Sequence, residues 1–417
     1  MVQMASKLTF GTTTVDWQER INVERMRQQR AEKARKVMKK HGVATLLVSS
    51  PPDVRYLTGC VGASWEPQLY YTLFFGEHDP IVYHHAGDYQ QQPDQAPWIK
   101  HHRCARSWLG GGIGHEGSRD EAKLFATEIV EELRQRGLAK EKLGILGFDA
   151  YAQEALTEAG IKLVDAVPIM SEAKSTKLID EINCLKTVAA IAEAGWWRIW
   201  EKLRPGMRDS ELLRIAVDAL LEAGAESLKV ENTPLSGPMS FERAAGVKGL
   251  NRIIQTGDLI YMPLCHVIYM GYASCTYRTL IAGRKPNDKE KDWYKELLER
   301  VNKIIEAIKP GATTADVAKH MAPASKWGYK DEVEVLTVEI GHGIGIGGYN
   351  APAINRQFSL KHPQPIEEGM CLAVEALEGE HRVGGVRLED MLIVTKDGAE
   401  IIDHMPRDQI WPPHYGF

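Results

Sequence analysis

Leu203-Arg204-Pro205-Gly206-Met207-Arg208-Asp209-Ser210-Glu211-Leu212 has a counterpart farther along the chain, Ile308-Lys309-Pro310-Gly311-Ala312-Thr313-Thr314-Ala315-Asp316-Val317, with Pro205 and Pro310 separated by 105 residues. In each copy a helix ends at Pro-Gly and a new one opens at a capping residue, Asp209 or Thr313. A second pair follows. Gly257-Asp258-Leu259-Ile260-Tyr261-Met262-Pro263 is echoed 112 positions on by Gly369-Met370-Cys371-Leu372-Ala373-Val374-Glu375, and Tyr277-Arg278-Thr279-Leu280-Ile281 by Glu389-Asp390-Met391-Leu392-Ile393 at the same offset. The C-terminal half thus reads as two copies of helix, helix, strand, strand. Related by a pseudo-twofold axis, the copies join their strands into one curved antiparallel sheet backed by helices, with a site on the concave face. The fold class is α+β, with this duplicated domain at residues 171–417 and a smaller α/β domain at 1–170.

The N-terminal domain follows from hydrophobic period and breakers. Residues 1–17 form an irregular arm. Glu19–His41 is a charged amphipathic helix, and Val43–Ser49 a buried strand ended by Pro51-Pro52-Asp53. Strands follow at Tyr70–Phe75, Ile81–His84, Leu143–Phe148 and Lys162–Asp165, with helices at Asp120–Gly137 and Ala150–Ala159. Strands alternating with helices give an α/β layer. Lys174–Lys177 marks the join, and a long helix over Ile179–Leu203 opens the second domain. The tail Trp411-Pro412-Pro413-His414-Tyr415 reads as an interface arm.

The 417 residues carry a formal net charge of −5 with both signs interspersed. That leaves no basic footprint for nucleic acid and no polybasic strip for a membrane. No apolar run reaches spanning length, and no secretion signal is visible. The six cysteines are scattered, with no CxxC pair, which fits a cytoplasmic location.

Chemistry concentrates after Glu332–Ile340, an alternating run that reads as a strand. Gly341-His342-Gly343-Ile344-Gly345-Ile346-Gly347-Gly348 lets backbone approach something closely, with His342 at the mouth of the strand. Glu375 and Glu389 follow on later strands. One imidazole and two carboxylates make an acid/base or metal skeleton. By the internal symmetry Pro263 stands where Glu375 stands, and Tyr277 where Glu389 stands. Only one copy is acidic, whereas a bridged pair of cations needs carboxylates from both.

These motifs carry a resemblance. With Ser236-Gly237, Gly257-Asp258-Leu259, Arg278-Thr279, Gly341-His342-Gly343-Ile344-Gly345, Gly369-Met370 with Glu375, and Leu388-Glu389-Asp390, residues 175–405 resemble the pita-bread family of methionine aminopeptidase, aminopeptidase P, prolidase and creatinase. The N-terminal domain is similar to that of the creatinase and prolidase branch. The family's metallopeptidases hold two metals through two Asp, one His and two Glu. Carried over, the His is His342 and the Glu pair Glu375 and Glu389, while the Asp places hold Pro263 and Cys275. The second family histidine falls near Tyr349, and the substrate-side one has no match in residues 238–249. The resemblance therefore points away from an aminopeptidase or prolidase and toward the non-peptidase branch of creatinase and the dimethylsulfoniopropionate lyases.

The expectation is a creatinase-like hydrolase of a C–N bond in a small cationic or amide-bearing molecule, with His342, Glu375 and Glu389 catalytic. Tyr277, Arg278, His266 and Tyr349 line the substrate. Trp65 and Cys60, from the N-terminal loop, complete the site of a partner subunit in a homodimer. No cofactor is expected. The alternative is a single divalent ion (Zn, Mn or Fe) on His342, Glu375, Glu389 and Cys275, or a soft zinc site formed by Cys265, Cys275 and His342 with Glu375. The rival functions are a metal-dependent lyase or hydrolase of the dimethylsulfoniopropionate lyase or Xaa-Pro peptidase type, and a non-catalytic pita-bread binding module.

Overall fold

A computed structural model describes residues 21–62, 65–66, 68–228, 234–242 and 251–414. The expected arm at 1–17, most of the segment 238–249 and Tyr415 lie outside the described residues. Two compact units emerge: Val23–Lys174, and Ser175 onward together with Ile21 and Asn22. The boundary expected after residue 170 falls inside a helix, Val167–Ser175. That helix is tied to the first unit, because the Tyr56 hydroxyl donates to the Ala173 carbonyl at 2.7 Å and Lys174 pairs with Asp53 at 2.5 Å.

The first unit is a six-stranded mixed sheet in the order His101–Cys104, Ile81–His84, Tyr71–Phe75, Thr45–Val48, Lys142–Leu146, Lys162–Asp165. Its core packs Phe125 and Ile129 of the helix His115–Gln135 against Tyr71, Trp108 and Phe148. Pro51-Pro52-Asp53 does end the strand, but it also opens a helix, Pro51–Thr58. Proline suits the first helical turn because the missing N–H has no partner there anyway. Gly59, at φ 75°, closes that helix in the left-handed region.

The second unit contains the duplication. Its eight-stranded antiparallel sheet runs Gly348–Ile354, Ile340–Gly345, Cys371–Glu380, Gly384–Thr395, Tyr277–Ile281, Leu259–Pro263, Leu235–Ser236, with Gly398–Ile401 added beside Gly384–Thr395. The two Pro-Gly turns are docked in the same way. Gly206 N–H donates to Ile254 O and Ile254 N–H to Met207 O; Gly311 N–H donates to Ile366 O and Ile366 N–H to Ala312 O. In the first copy the helix Asp209–Glu222 starts one residue before expectation, with Arg208 as its cap. In the second, Thr313 caps Thr314–Ala318 by accepting from Asp316 N–H.

Strand alternation sorts the side chains between the two faces. Leu372, Val374, Leu388 and Leu392 face the helix Asp288–Ala307, whose Tyr294, Leu297, Val301 and Ile304 recur at helical spacing and are buried against them. Each such side chain contributes about 1.5–3 kcal/mol by burial. The intervening residues, Ala373, Glu375, Arg387 and Glu389, face the opposite, concave side.

Two expectations fail here. Glu332–Val335 is a 3₁₀ turn, and the strand begins only at Ile340. The Asp331 side chain accepts from Val333 N–H, and Glu334 accepts from Lys330 and Asp331 N–H, which fixes a turn before any ladder can form. The C-terminal tail begins docked on its own unit at Trp411, rather than leaving the surface there. Trp411 is buried, its ring tilted against Trp197 at 4.9 Å, and its N–H and C=O pair with Thr279 and Ile281. Among the described residues no helix is long and apolar enough to cross a membrane.

Candidate active site

One register row crosses the concave face. Pro263 pairs with Tyr277, Tyr277 with Glu389, Glu389 with Glu375, and Glu375 with Ile340. The pseudosymmetric positions therefore lie abreast, proline and tyrosine on one side and two glutamates on the other. His342, opposite Ala373, is two residues along from Ile340 and on the same face. His342, Glu375 and Glu389 are each at most 1% exposed.

The ring of His342 is fixed from both sides. Its Nδ1–H donates to the Gly343 carbonyl at 2.9 Å, which leaves Nε2 as the acceptor of the neutral ring. Nε2 lies 3.8 Å from Glu389 Oε1 and 3.8 Å from Cys275 Sγ. Tyr349 stacks on the imidazole at 3.7 Å between centroids, and His266 is stacked on Tyr349 at 6.5 Å. The glycines make this possible. A Cβ on Gly348 would come within 2.5 Å of His266 Nε2, and one on Gly343 within 2.2 Å of the Ala351 carbonyl oxygen. The ladder shifts register between His342 and Gly343. Gly343→Ala must push backbone away at that bulge, and a loss of about 1–3 kcal/mol of unfolding free energy is expected in urea titration.

Cys265 and Cys275 face each other across a hairpin, framed by Leu264 N–H to Thr276 O and His266 N–H to Ser274 O. The Cys275 thiol donates to Cys265 Sγ at 3.0 Å, and the Cys265 thiol to Glu389 Oε2 at 3.5 Å. Burial, helped by the charges of Glu389 and Glu375, pushes the Cys265 thiol up to about 11. Cys275 is held well above its ordinary range by the hydrogen bond to Cys265 and by burial. Burial likewise raises the Tyr277 phenol, so it remains a donor.

Beside this row lies a cleft of about 380 Å³ lined by Phe241, Glu242, Tyr329, Glu334 and Leu377. Leu377 is the register partner of Arg387, two residues from Glu389 on the same face and so roughly 7 Å away. Arg387 is 1% exposed. Its guanidinium lies over the Tyr261 ring at 4.4 Å and donates from Nη2 to the Phe241 carbonyl, while Nε and Nη1 have no hydrogen-bond partner among the described residues.

The structure brings together His342, Glu375, Glu389, Tyr277, His266, Tyr349 and Cys275. Arg278 does not join them. One residue on from Tyr277, it points to the opposite face, where Nη2 pairs with Asp403 at 2.5 Å and Asp390 at 3.1 Å. Its expected role on the substrate is corrected to a structural one. Cys60 and Trp65 belong to the first unit. Cys60 is buried, its thiol pushed up to about 11 by burial, whereas Trp65 is exposed with its ring edge-on to His85. Cys265, expected only in the soft zinc alternative, lies against Cys275 across the hairpin and against Glu389 rather than Glu375, and strand parity puts Arg387 on the face of Glu389.

Metallopeptidase family M24 matches residues 183–396, just over half of the chain, and the Creatinase/Prolidase N-terminal domain matches residues 30–174. The chain belongs to metallopeptidase family M24. This M24 chain is 27% identical to the uncharacterized peptidase YqhT of Bacillus subtilis over 91% of its own length and 99% of that relative. It is 26% identical to the Xaa-Pro dipeptidase of Pyrococcus furiosus, over 71% of this chain and 84% of that protein. Among solved structures, the Xaa-Pro dipeptidase from Bacillus anthracis superposes with a TM-score of 0.74 at 23% identity, covering 94% of this chain and 100% of that one. The prolidase from Pyrococcus horikoshii OT3 gives 0.71 at 21%, covering 92% and 100%. The M24 domain has the pita-bread fold. These relatives are named for peptidases rather than creatinases.

The paired metal ions implied by the family do not fit this donor set. Pro263 has no side-chain donor, and Cys275 offers a soft thiol where a bridging carboxylate would be needed.

Proposed function

We propose that this M24 chain hydrolyses a C–N bond in a small zwitterionic or amide substrate, with a short peptide ahead of a creatine-like compound. The names of the relatives support the peptide class. The observation that carries the reading is the approach of His342 Nε2 to Glu389, 3.8 Å apart on one sheet face with Glu375 alongside.

His342 Nε2 is the atom that takes a proton from attacking water and returns it to the leaving nitrogen, a role worth about 10²- to 10⁴-fold. Its Nδ1–H is already committed to the Gly343 carbonyl, which fixes the tautomer and the aim of the ring. Glu389 stabilises the imidazolium that forms. Glu375, directly opposite, accepts an N–H of the substrate or orients the water. The protonated Tyr277 hydroxyl donates to the developing oxyanion. Arg387 supplies buried donors for a substrate carboxylate, and Glu242 and Glu334 at the cleft attract a positive end. The separation of roughly 7 Å between the Arg387 and Glu389 positions suits a molecule of dipeptide size. Tyr349 covers the imidazole and limits water entry.

The purified chain, assayed for amine release against Xaa-Pro dipeptides, N-acyl amino acids and guanidino acids, is expected to turn over at least one class and to lose that turnover in Glu375→Gln. Absence of turnover in every class, with ligand-induced rises in melting temperature retained, would assign a binding role instead.

A further inference from the structure

Cys265 and Cys275 have no part in that acid–base chemistry. They are nevertheless placed against it, on the hairpin that follows Pro263 and precedes Tyr277. Their Sγ atoms and a Glu389 oxygen all lie within 4.8 Å of one another. Two edges are 3.0 Å between the sulfurs and 3.5 Å from Cys265 Sγ to Glu389 Oε2. A tetrahedral site with bonds of 2.0–2.3 Å has edges of about 3.3–3.8 Å, so these two edges lie within tenths of an ångström of that range.

We propose that this chain holds one thiophilic divalent cation, of the zinc class, on Cys265, Cys275 and Glu389. Two thiolates select zinc or ferrous iron over magnesium, calcium or manganese, whose preferred donors are oxygens. Three protein donors leave one corner for water or substrate, which is the pattern of catalytic rather than structural zinc sites. His342 Nε2, 3.8 Å from Cys275 Sγ and 3.8 Å from the other Glu389 oxygen, Oε1, is placed to meet whatever fills that corner. The sulfurs are too far apart for a disulfide, which needs about 2.05 Å. This inference goes beyond the hydrolase reading and does not depend on any substrate.

The test is ion content. The full-length chain is produced in zinc-supplemented medium, purified without chelator, and measured by inductively coupled plasma mass spectrometry. About one zinc per chain is expected. Cys265→Ser and Cys275→Ser should each lose more than about nine-tenths of it, with apo circular dichroism unchanged. Cobalt substitution of the wild type should give a strong near-ultraviolet thiolate-to-cobalt charge-transfer band that both variants lack. A wild type that binds no ion at saturating zinc, or whose two thiols titrate as a disulfide, would overturn the proposal. So would a double serine variant that retains full stoichiometry. Where a variant fails to fold, the cobalt spectrum of the wild type decides alone, and absence of the charge-transfer band is then the contrary result. None of these readings requires turnover, so a failure here and a failure of the hydrolase reading are separable.

Discussion

Replacement of His342 by alanine is expected to lower kcat/KM about 10²- to 10⁴-fold on whichever substrate the wild type hydrolyses. The size follows from geometry. The ring is at most 1% exposed, its Nδ1–H is bound to the Gly343 carbonyl, and Nε2 is directed at Glu389. Burial holds Tyr277 well above its ordinary range, which removes it as a base near neutral pH. The loss should fall on kcat, with KM little changed, because His342 acts in the transition state more than in binding. Tyr349 loses its stacking partner in that variant, so circular dichroism and melting should be recorded with the kinetics. Turnover that survives the substitution in a folded protein would remove His342 from the mechanism.

Replacement of Arg278 by methionine is expected to cost about 3–5 kcal/mol of unfolding free energy in urea titration. The guanidinium is completely buried. It pairs with Asp403 and Asp390, and Nη1 donates to the carbonyls of Glu389 at 2.6 Å and Tyr277 at 2.7 Å. Methionine fills much of the volume but strands two buried carboxylates, of which, among the described residues, Asp390 alone has a second cation, Arg407 at 2.8 Å. Lysine keeps the charge yet cannot reach both carboxylates and both carbonyls with one ammonium, so Arg278→Lys should recover only part of the loss. Because Arg278 grips the backbone of Glu389 and Tyr277, activity should fall as well. A stability loss under about 1 kcal/mol would mean that water or neighbouring groups replace the guanidinium, contrary to a dry buried network.

The duplication was legible because Pro-Gly turns and strand starts repeat at fixed offsets, and the docking of Gly206 on Ile254 and of Gly311 on Ile366 shows the reason. Both turns must satisfy the same orphan amides at the same place in each copy. The correspondence of Pro263 with Glu375 and of Tyr277 with Glu389 was legible for the same reason, and the register sets all four abreast. Arg278 was misread although alternation places it opposite Tyr277. Proximity in sequence was allowed to outweigh the parity of the strand. The stretch Glu332–Ile340 alternates like a strand, but local carboxylate-to-amide bonds at Asp331 and Glu334 outcompeted pairing. Cys265 stood beside Cys275 in the soft zinc alternative, but its approach to Glu389 rather than Glu375 depends on how the chain doubles back between the two cysteines. The cleft between Phe241 and Tyr329 joins segments far apart in sequence, which no local pattern records.

One half of the duplicated sheet carries Glu375 and Glu389 where the other carries Pro263 and Tyr277, so the row cannot hold a bridged pair of ions. Anomalous diffraction from crystals of the full chain, grown with manganese and zinc and recorded at both absorption edges, measures this directly. At most one peak is expected beside His342, at the zinc edge and next to Cys265 and Cys275. Two peaks bridged by Glu375 and Glu389 would contradict it.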